Sequence, residues 1–198
     1  MIIGITGGIA TGKSFFTNYL RDKGYQVICA DEISKKVVEK DEIGYFKIIE
    51  HFGNNILDEN KNINRKQLGY IIFNNEEKRL LLNNIVHPLV KQEMINKIQS
   101  FKKDNKIIFI DVPLLFESSF DDLCDKIVVV YSKYEIQLKR LMERDKIEID
   151  LAKNKINAQM DLSKKVLMAD YVIDNSFDKE NTIMQFEKFL KEVQEYGI

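Results

Sequence analysis

Residues 2–14 read IIGITGGIATGKS, and this stretch decides the fold. Residues 2–6 are apolar with almost no polar alternation, which predicts a short strand covered on both faces. Residues 7–14, GGIATGKS, then match G-x-x-x-x-G-K-[ST]. Residues 13–22 (KSFFTNYLRD) predict a helix that opens inside the motif and can end at Gly24. Strand, glycine loop and helix in this order are the context the phosphate-binding motif requires. Gly7 and Gly12 let backbone N–H groups turn inward around phosphate oxygens, and the helix N-terminus adds positive potential. Lys13 suits the β- and γ-phosphates of a nucleotide, and the Ser14 hydroxyl suits Mg²⁺. Average composition makes a chance match in a chain this long rare, on the order of 0.01 occurrences.

Working outward, residues 25–29 (YQVIC), 106–112 (KIIFIDV, stopped by Pro113), 126–131 (KIVVVY) and 171–174 (YVID) predict four further strands. Helical patterns occupy about 134–145, a polar and charged 146–169, and a closing 179–195. Strands separated by helices imply an α/β fold with a parallel sheet. Residues 31 to about 103 are mostly helical, with loop signals at 53–64 and an interruption expected at Pro88. That stretch is too large for a simple crossover and reads as a substrate-side insertion.

The 198 residues suit one core domain with an inserted lobe. With 44% apolar and 31% charged residues, wholesale disorder is excluded. Thirty Lys and Arg against 31 Asp and Glu leave a net charge of -1, which argues against a duplex nucleic-acid partner. Cys29 and Cys124 form no C-x-x-C pair, so no zinc ribbon is expected, and they suit two reduced, buried thiols in the cytoplasm. No apolar run approaches the roughly 18 residues that span a bilayer, so no membrane partner is expected. The apolar N-terminus lacks the basic region of a signal peptide.

The phosphate loop gives a class and not a reaction. A guanine-reading N-K-x-D is missing, and the D-x-x-G at Asp41–Gly44 follows no strand, which disfavours a GTP switch. Asp31 lies two residues past the second strand, where an open parallel sheet binds ligands beyond strand ends. It fits either a carboxylate that orients an acceptor hydroxyl or a helix cap. Asp111 ends the IIFID strand and fits either a Walker-B-like Mg²⁺ carboxylate or a plain strand-end acid. Glu117 follows PLLF as a site acid or a solvated loop acid. Arg140 and Arg144 share a helix face with Gln137, as a cationic lid or as a solvated basic face. His87 stands at the expected helix break, and Arg65 and Arg79 are isolated arginines suited to phosphate or to surface ion pairs. Leu114 and Leu115 are either pocket wall or core, and His51 reads as structural.

Together these segments resemble the dephospho-coenzyme A kinase family. The resemblance runs nearly end to end: GITGGIATGKS at 4–14, ADEI at 30–33, FGNNIL at 52–57, NRKQLG at 64–69 and RLLLNNIVHP at 79–88. It continues through DVPLLFE at 111–117, QLKRLMER at 137–144, INAQM at 156–160 and ADYVIDN at 169–175. The resemblance implies a P-loop, nucleoside-monophosphate-kinase-like fold with a five-stranded parallel core at 1–30, 106–139 and 166–198. It implies a helical substrate lobe at 31–105 and a lid at 140–165. The implied reaction moves the γ-phosphoryl of ATP, with Mg²⁺, to the ribose 3′-hydroxyl of dephospho-CoA, by a monomer or weak homo-oligomer. The implied catalytic residues are Asp31, as the base, and Lys13, which neutralises the γ-phosphoryl. ATP would be held by Gly8, Ile9, Ala10, Thr11, Gly12, Lys13, Ser14 and Phe15 together with Arg140 and Arg144. Arg65, Arg79, His87, Leu114, Leu115 and Glu117 would border dephospho-CoA, and Ser14 would ligate the metal. The chain departs from the family pattern in places. Ala10 and Thr11 replace Gly and Ser in G-G-I-G-S-G-K-S, which suits Ala10 only at an ordinary φ. Cys29 replaces the first acid of D-A-D, leaving Asp31 as the sole candidate base. Lys35 or Lys36 stands where an arginine is common, which keeps charge but loses bidentate geometry.

Overall fold

A computed structural model describes residues 1–104 and 106–196, so the expected boundaries at 105 and 198 lie outside the described residues. The chain divides into two compact units, Met1–Ile28 with Ser100–Ile198, and Cys29–Gln99.

The first unit carries β1 (Ile2–Gly7), α1 (Lys13–Asp22), β2 (Gln26–Cys29, whose last residue opens the second unit), β3 (Ile108–Asp111) and β4 (Lys126–Tyr131). It continues with α6 (Tyr134–Asp145), α7 (Ile149–Asn157), α8 (Leu162–Leu167), β5 (Tyr171–Asp174) and α9 (Lys179–Tyr196). The strands form one five-stranded sheet in the order β2-β3-β1-β4-β5. β1 runs parallel to β3 and β4, and β4 runs parallel to β5. All six residues of β1 are buried, as an apolar central strand requires. Ile3, Ile5, Phe109, Val128, Val130 and Ile173 from the sheet pack with Phe16 and Leu20 of α1 and with Phe186, Phe189, Leu190 and Val193 of α9. The Phe186 ring lies 4.5 Å from Phe16, 5.3 Å from Phe15 and 5.2 Å from Tyr19, centroid to centroid. This aromatic stack fixes the helix that leaves the glycine loop.

The charged 146–169 stretch, expected as helical throughout, is two short helices with a break at 158–161. Asp161 caps the second by accepting the Ser163 N–H at 2.7 Å. Both cysteines are free thiols. Burial, with the carboxylates of Asp121, Asp122, Asp125 and Asp170, pushes the Cys124 thiol up to about 12, so it is an inert, protonated group at neutral pH.

The second unit holds α2 (Ala30–Lys36), α3 (Ile43–Phe52), α4 (Arg65–Phe73) and most of α5 (Glu76–Lys102). Its core centres on Ile48, Ile56, Leu68 and Ile85. The 53–64 segment is a 3-10 turn at Asn54–Ile56 followed by a single antiparallel bridge between Leu57 and Ile63. Pro88 does not interrupt the helical stretch, contrary to the sequence expectation: α5 runs through it. A proline forfeits one N–H bond and crowds the carbonyl four residues earlier. Here Ile85, Val90, Met94 and Ile98 are buried on both sides of it, so packing holds the two halves in one helix.

No described helix is long and apolar enough to cross a membrane. Phe186→Ala should cost about 3–5 kcal/mol in urea unfolding, whereas Phe73→Ala, whose ring is 86% exposed, should stay within about 0.5 kcal/mol.

Candidate active site

The site is built around the end of β1. Gly12 takes φ +93° as the N-cap of α1, no side chain caps that helix, and its first turn holds no acid. Its leading N–H groups are therefore left for an anion. Ile5 of β1 registers with Asp111 of β3. This brings the Asp111 carboxylate to the loop, where Lys13 Nζ donates to Asp111 Oδ1 in a largely buried ion pair. Asp111 is thus neither solvated nor a bare strand end.

The loop is propped on every side. Thr11 is buried and its N–H and hydroxyl both donate to the Gly8 carbonyl, at 3.3 and 3.0 Å. Gln137, 3% exposed on α6, donates from Nε2 to the Ile9 carbonyl at 2.7 Å. The Ile9 N–H donates to Gln159 Oε1 at 2.7 Å. Asn175, just past β5, donates from Nδ2 to the Thr11 carbonyl at 2.8 Å and accepts from Thr182 Oγ1 at 3.0 Å. The sequence alone marks no role for Gln159 or Asn175. Their only signal was their place inside the INAQM and ADYVIDN segments. Ala10 sits at φ +60°, not at the ordinary φ that would suit alanine, and an L-residue there carries strain.

Arg140 and Arg144 differ despite their shared helix face. Arg140 lines a 310 Å³ cavity with Gly12, Phe15, Asn175, Phe177 and Lys179, and its buried Nη1 has no hydrogen-bond partner. An unpaired buried guanidinium nitrogen beside a phosphate loop fits an anionic ligand. Arg144 is over half exposed and donates from Nε to Asp145 at 2.8 Å. With Lys155, it holds the Asp145 carboxyl down at about 2.

Ser14 is the second residue of α1, directly after Lys13. Among the described residues no group of three or more His, Cys, Asp or Glu could hold a metal. The hard oxygens of Ser14 and Asp111 suit Mg²⁺, which takes one or two protein donors with phosphates and water. Glu117 is tied to the buried Lys165 ammonium at 2.8 Å and accepts the Met160 N–H at 3.1 Å. Lys165 also donates to the Pro113 carbonyl at 3.0 Å, so the DVPLLFE loop is fastened to α8. Leu115 is fully buried among the core residues. Leu114 is the exposed member of the pair.

In the second unit, Asp31 is an exposed residue in the first turn of α2, with Cys29 in the cap position, so the capping alternative falls away. Arg65 and His87 line a 750 Å³ cavity with Lys35, Asn62 and Asn83 among others. Burial pushes His87 below its ordinary value, so it favours the neutral imidazole. Arg79 is not part of that lining. It pairs with Glu76 at 3.0 Å on the surface of α5.

A family model described as dephospho-CoA kinase matches residues 1–181. The chain belongs to the dephospho-CoA kinase family. A Fusobacterium nucleatum relative named dephospho-CoA kinase is 47% identical over 195 residues, with 98% of each chain covered. The solved dephospho-CoA kinase from Campylobacter jejuni superposes with a TM-score of 0.77 at 33% identity, covering 100% of this chain and 98% of that one. Shikimate kinase from Bacteroides thetaiotaomicron, at 15% identity, TM-score 0.50 and 98% coverage of both chains, shares the fold alone. The fold is therefore the P-loop, nucleoside-monophosphate-kinase-like α/β class, and the chain is a kinase of that family.

A Cβ on Gly12 would lie 2.0 Å from Asn175 Nδ2, and alanine would meet the left-handed penalty of about 1–2 kcal/mol. Gly12→Ala should therefore weaken ATP binding about tenfold or more in calorimetry. An unchanged affinity would remove Gly12 from the phosphate cradle.

Proposed function

We propose that this chain transfers the γ-phosphoryl of ATP to the ribose 3′-hydroxyl of dephospho-CoA, giving coenzyme A and ADP. The observation that supports it most is the strand–GGIATGKS–helix cradle at residues 7–14 in a chain matched by the family model over residues 1–181. The core at 1–30, 106–139 and 166–198 binds ATP, the lobe at 31–105 binds the acceptor, and the segment 140–165 serves as the lid. The protein acts in the cytoplasm as a monomer or weak homo-oligomer.

Phosphoryl transfer needs positioning and charge neutralisation more than covalent chemistry. In this reading residues 8–15 hold the phosphates through the N–H groups that the loop does not itself use, the Ile9, Thr11 and Phe15 N–H groups being taken by Gln159, Gly8 and Gly12, and the Lys13 ammonium exchanges its Asp111 partner for the β- and γ-phosphate oxygens. Asp111, freed of that partner, joins Ser14 as the oxygen donors that fit Mg²⁺. When bound, Mg²⁺ supplies charge neutralisation across the phosphates. Arg140 turns its unpaired Nη1 to the same anionic group, and Arg144 contributes once its side chain turns away from Asp145. Asp31 follows β2 as the phosphate loop follows β1. It accepts a hydrogen bond from the 3′-hydroxyl and takes its proton as the bond to phosphorus forms. Arg65 and His87 line the cavity in which part of dephospho-CoA is held, and Leu114, Glu117 and Arg79 serve as further contacts of the acceptor. Closing the lid excludes water as a competing acceptor.

The test follows coenzyme A formation by mass spectrometry. The unmodified protein should add one phosphoryl group at the 3′ position. Asp31→Asn should bind ATP within about twofold of normal yet lose about 10²-fold or more of kcat, the order expected for a lost base. Retained turnover in Asp31→Asn, or an unmodified acceptor with the unmodified protein, would contradict the reading.

A further inference from the structure

The turn at Gly8–Thr11 is held from within by Thr11 and from outside by two glutamines. The Thr11 N–H closes it on the Gly8 carbonyl at 3.3 Å. Ile9 is absent from the positive-φ residues whereas Ala10 is at φ +60°. That sign pattern is the one of a type II turn, which is ordinarily a glycine position. Types I and II differ by a flip of the central peptide, here Ile9–Ala10. An alanine at the third position favours the type I form, because its Cβ is strained at positive φ.

Two side chains oppose that flip. Gln137 Nε2 donates to the Ile9 carbonyl and so fixes the very peptide whose orientation distinguishes the two forms. Gln159 Oε1 accepts the Ile9 N–H and fixes the preceding peptide. The polarity is complementary: a donor meets the carbonyl and an acceptor meets the N–H, each at 2.7 Å. The approach of Gln137 depends on Gly8, where a Cβ would lie 2.6 Å from Nε2. Strained backbone persists where surrounding structure over-determines it, and here the surroundings are these two amides.

We propose that Gln137 and Gln159 are positioning residues for ATP: they lock the Gly8–Thr11 turn in its phosphate-binding form against the preference of Ala10. Gln159 stands in the break between α7 and α8, so the same contact couples that segment to the phosphate loop. Neither glutamine needs to touch ATP. The inference rests on the reading of residues 7–14 as an ATP site but not on the identity of the acceptor.

The experiment is a double-mutant cycle read by calorimetric ATP–Mg²⁺ affinity without acceptor. Its variants are Gln137→Met, Gln159→Met and Ala10→Gly, with each glutamine substitution also made in the Ala10→Gly background. Methionine keeps side-chain length while removing the hydrogen bond, and melting curves verify that each variant folds. Each single glutamine variant should bind ATP roughly tenfold more weakly, the upper range for one lost hydrogen bond. In the Ala10→Gly background, where glycine favours the type II form unaided, the same substitutions should cost less than about threefold. Gln159→Glu keeps an acceptor and should preserve the slow hydrogen exchange of the Ile9 amide, which Gln159→Met should lose. Equal losses in both backgrounds, or no loss in either, would overturn the proposal. Failure of the unmodified protein to phosphorylate dephospho-CoA while still binding ATP would instead overturn the functional reading and leave this one standing.

Discussion

A phosphate cradle must aim several backbone N–H groups at one point, and neither helix nor sheet pairing holds a backbone in that form. The rest of the first unit supplies what the loop cannot supply itself. β1 lies between β3 and β4 in the sheet, so the loop starts from a buried strand end paired on both sides. α1 is fixed behind it by Phe16 and Leu20 against α9. The carbonyls and amides that point away from the cradle are taken up by Gln137, Gln159 and Asn175. Each of these bonds satisfies a backbone group that would otherwise compete for the ligand or favour another loop conformation.

The same constraint organises the charges. Lys13 and Asp111 neutralise one another, which avoids the cost of an isolated ammonium in a largely buried place. Arg140 Nη1 is the contrasting case, buried without a hydrogen-bond partner. A cation already paired can exchange partners, and a donor left unpaired gains a bond when an anion arrives. Both features lower the cost of seating a polyanion. Glu117 and Lys165 do different work. Their pair fastens the loop after β3 to α8, with the Pro113 carbonyl shared between Lys165 and the Thr6 hydroxyl.

Much of this is legible in the sequence. The run IIGITGGIATGKS fixes strand, loop and helix because apolar continuity, glycine spacing and helical period agree over neighbouring residues. β4, β5 and α6 are equally plain for the same reason. What the sequence hides depends on distant partners. Gln137, Gln159 and Asn175 meet the loop across 128, 150 and 164 positions, and no local pattern marks an amide for such a contact. The continuity of α5 through Pro88 is decided by burial on both sides of the proline, which overrides its local preference. The positive φ of Ala10 is invisible because its residue type argues the other way. Leu114 and Leu115 show the same limit: adjacent and chemically identical, one is exposed and the other is core.

The central claim is that the cradle delivers its phosphoryl group to one particular acceptor and withholds it from water. The most direct measurement is the initial rate of ADP release from ATP–Mg²⁺ with dephospho-CoA, beside AMP, GMP and a blank without acceptor. The account predicts release with dephospho-CoA and only background release in the other three. Release at the same rate in the blank, or faster release with AMP or GMP, would contradict it.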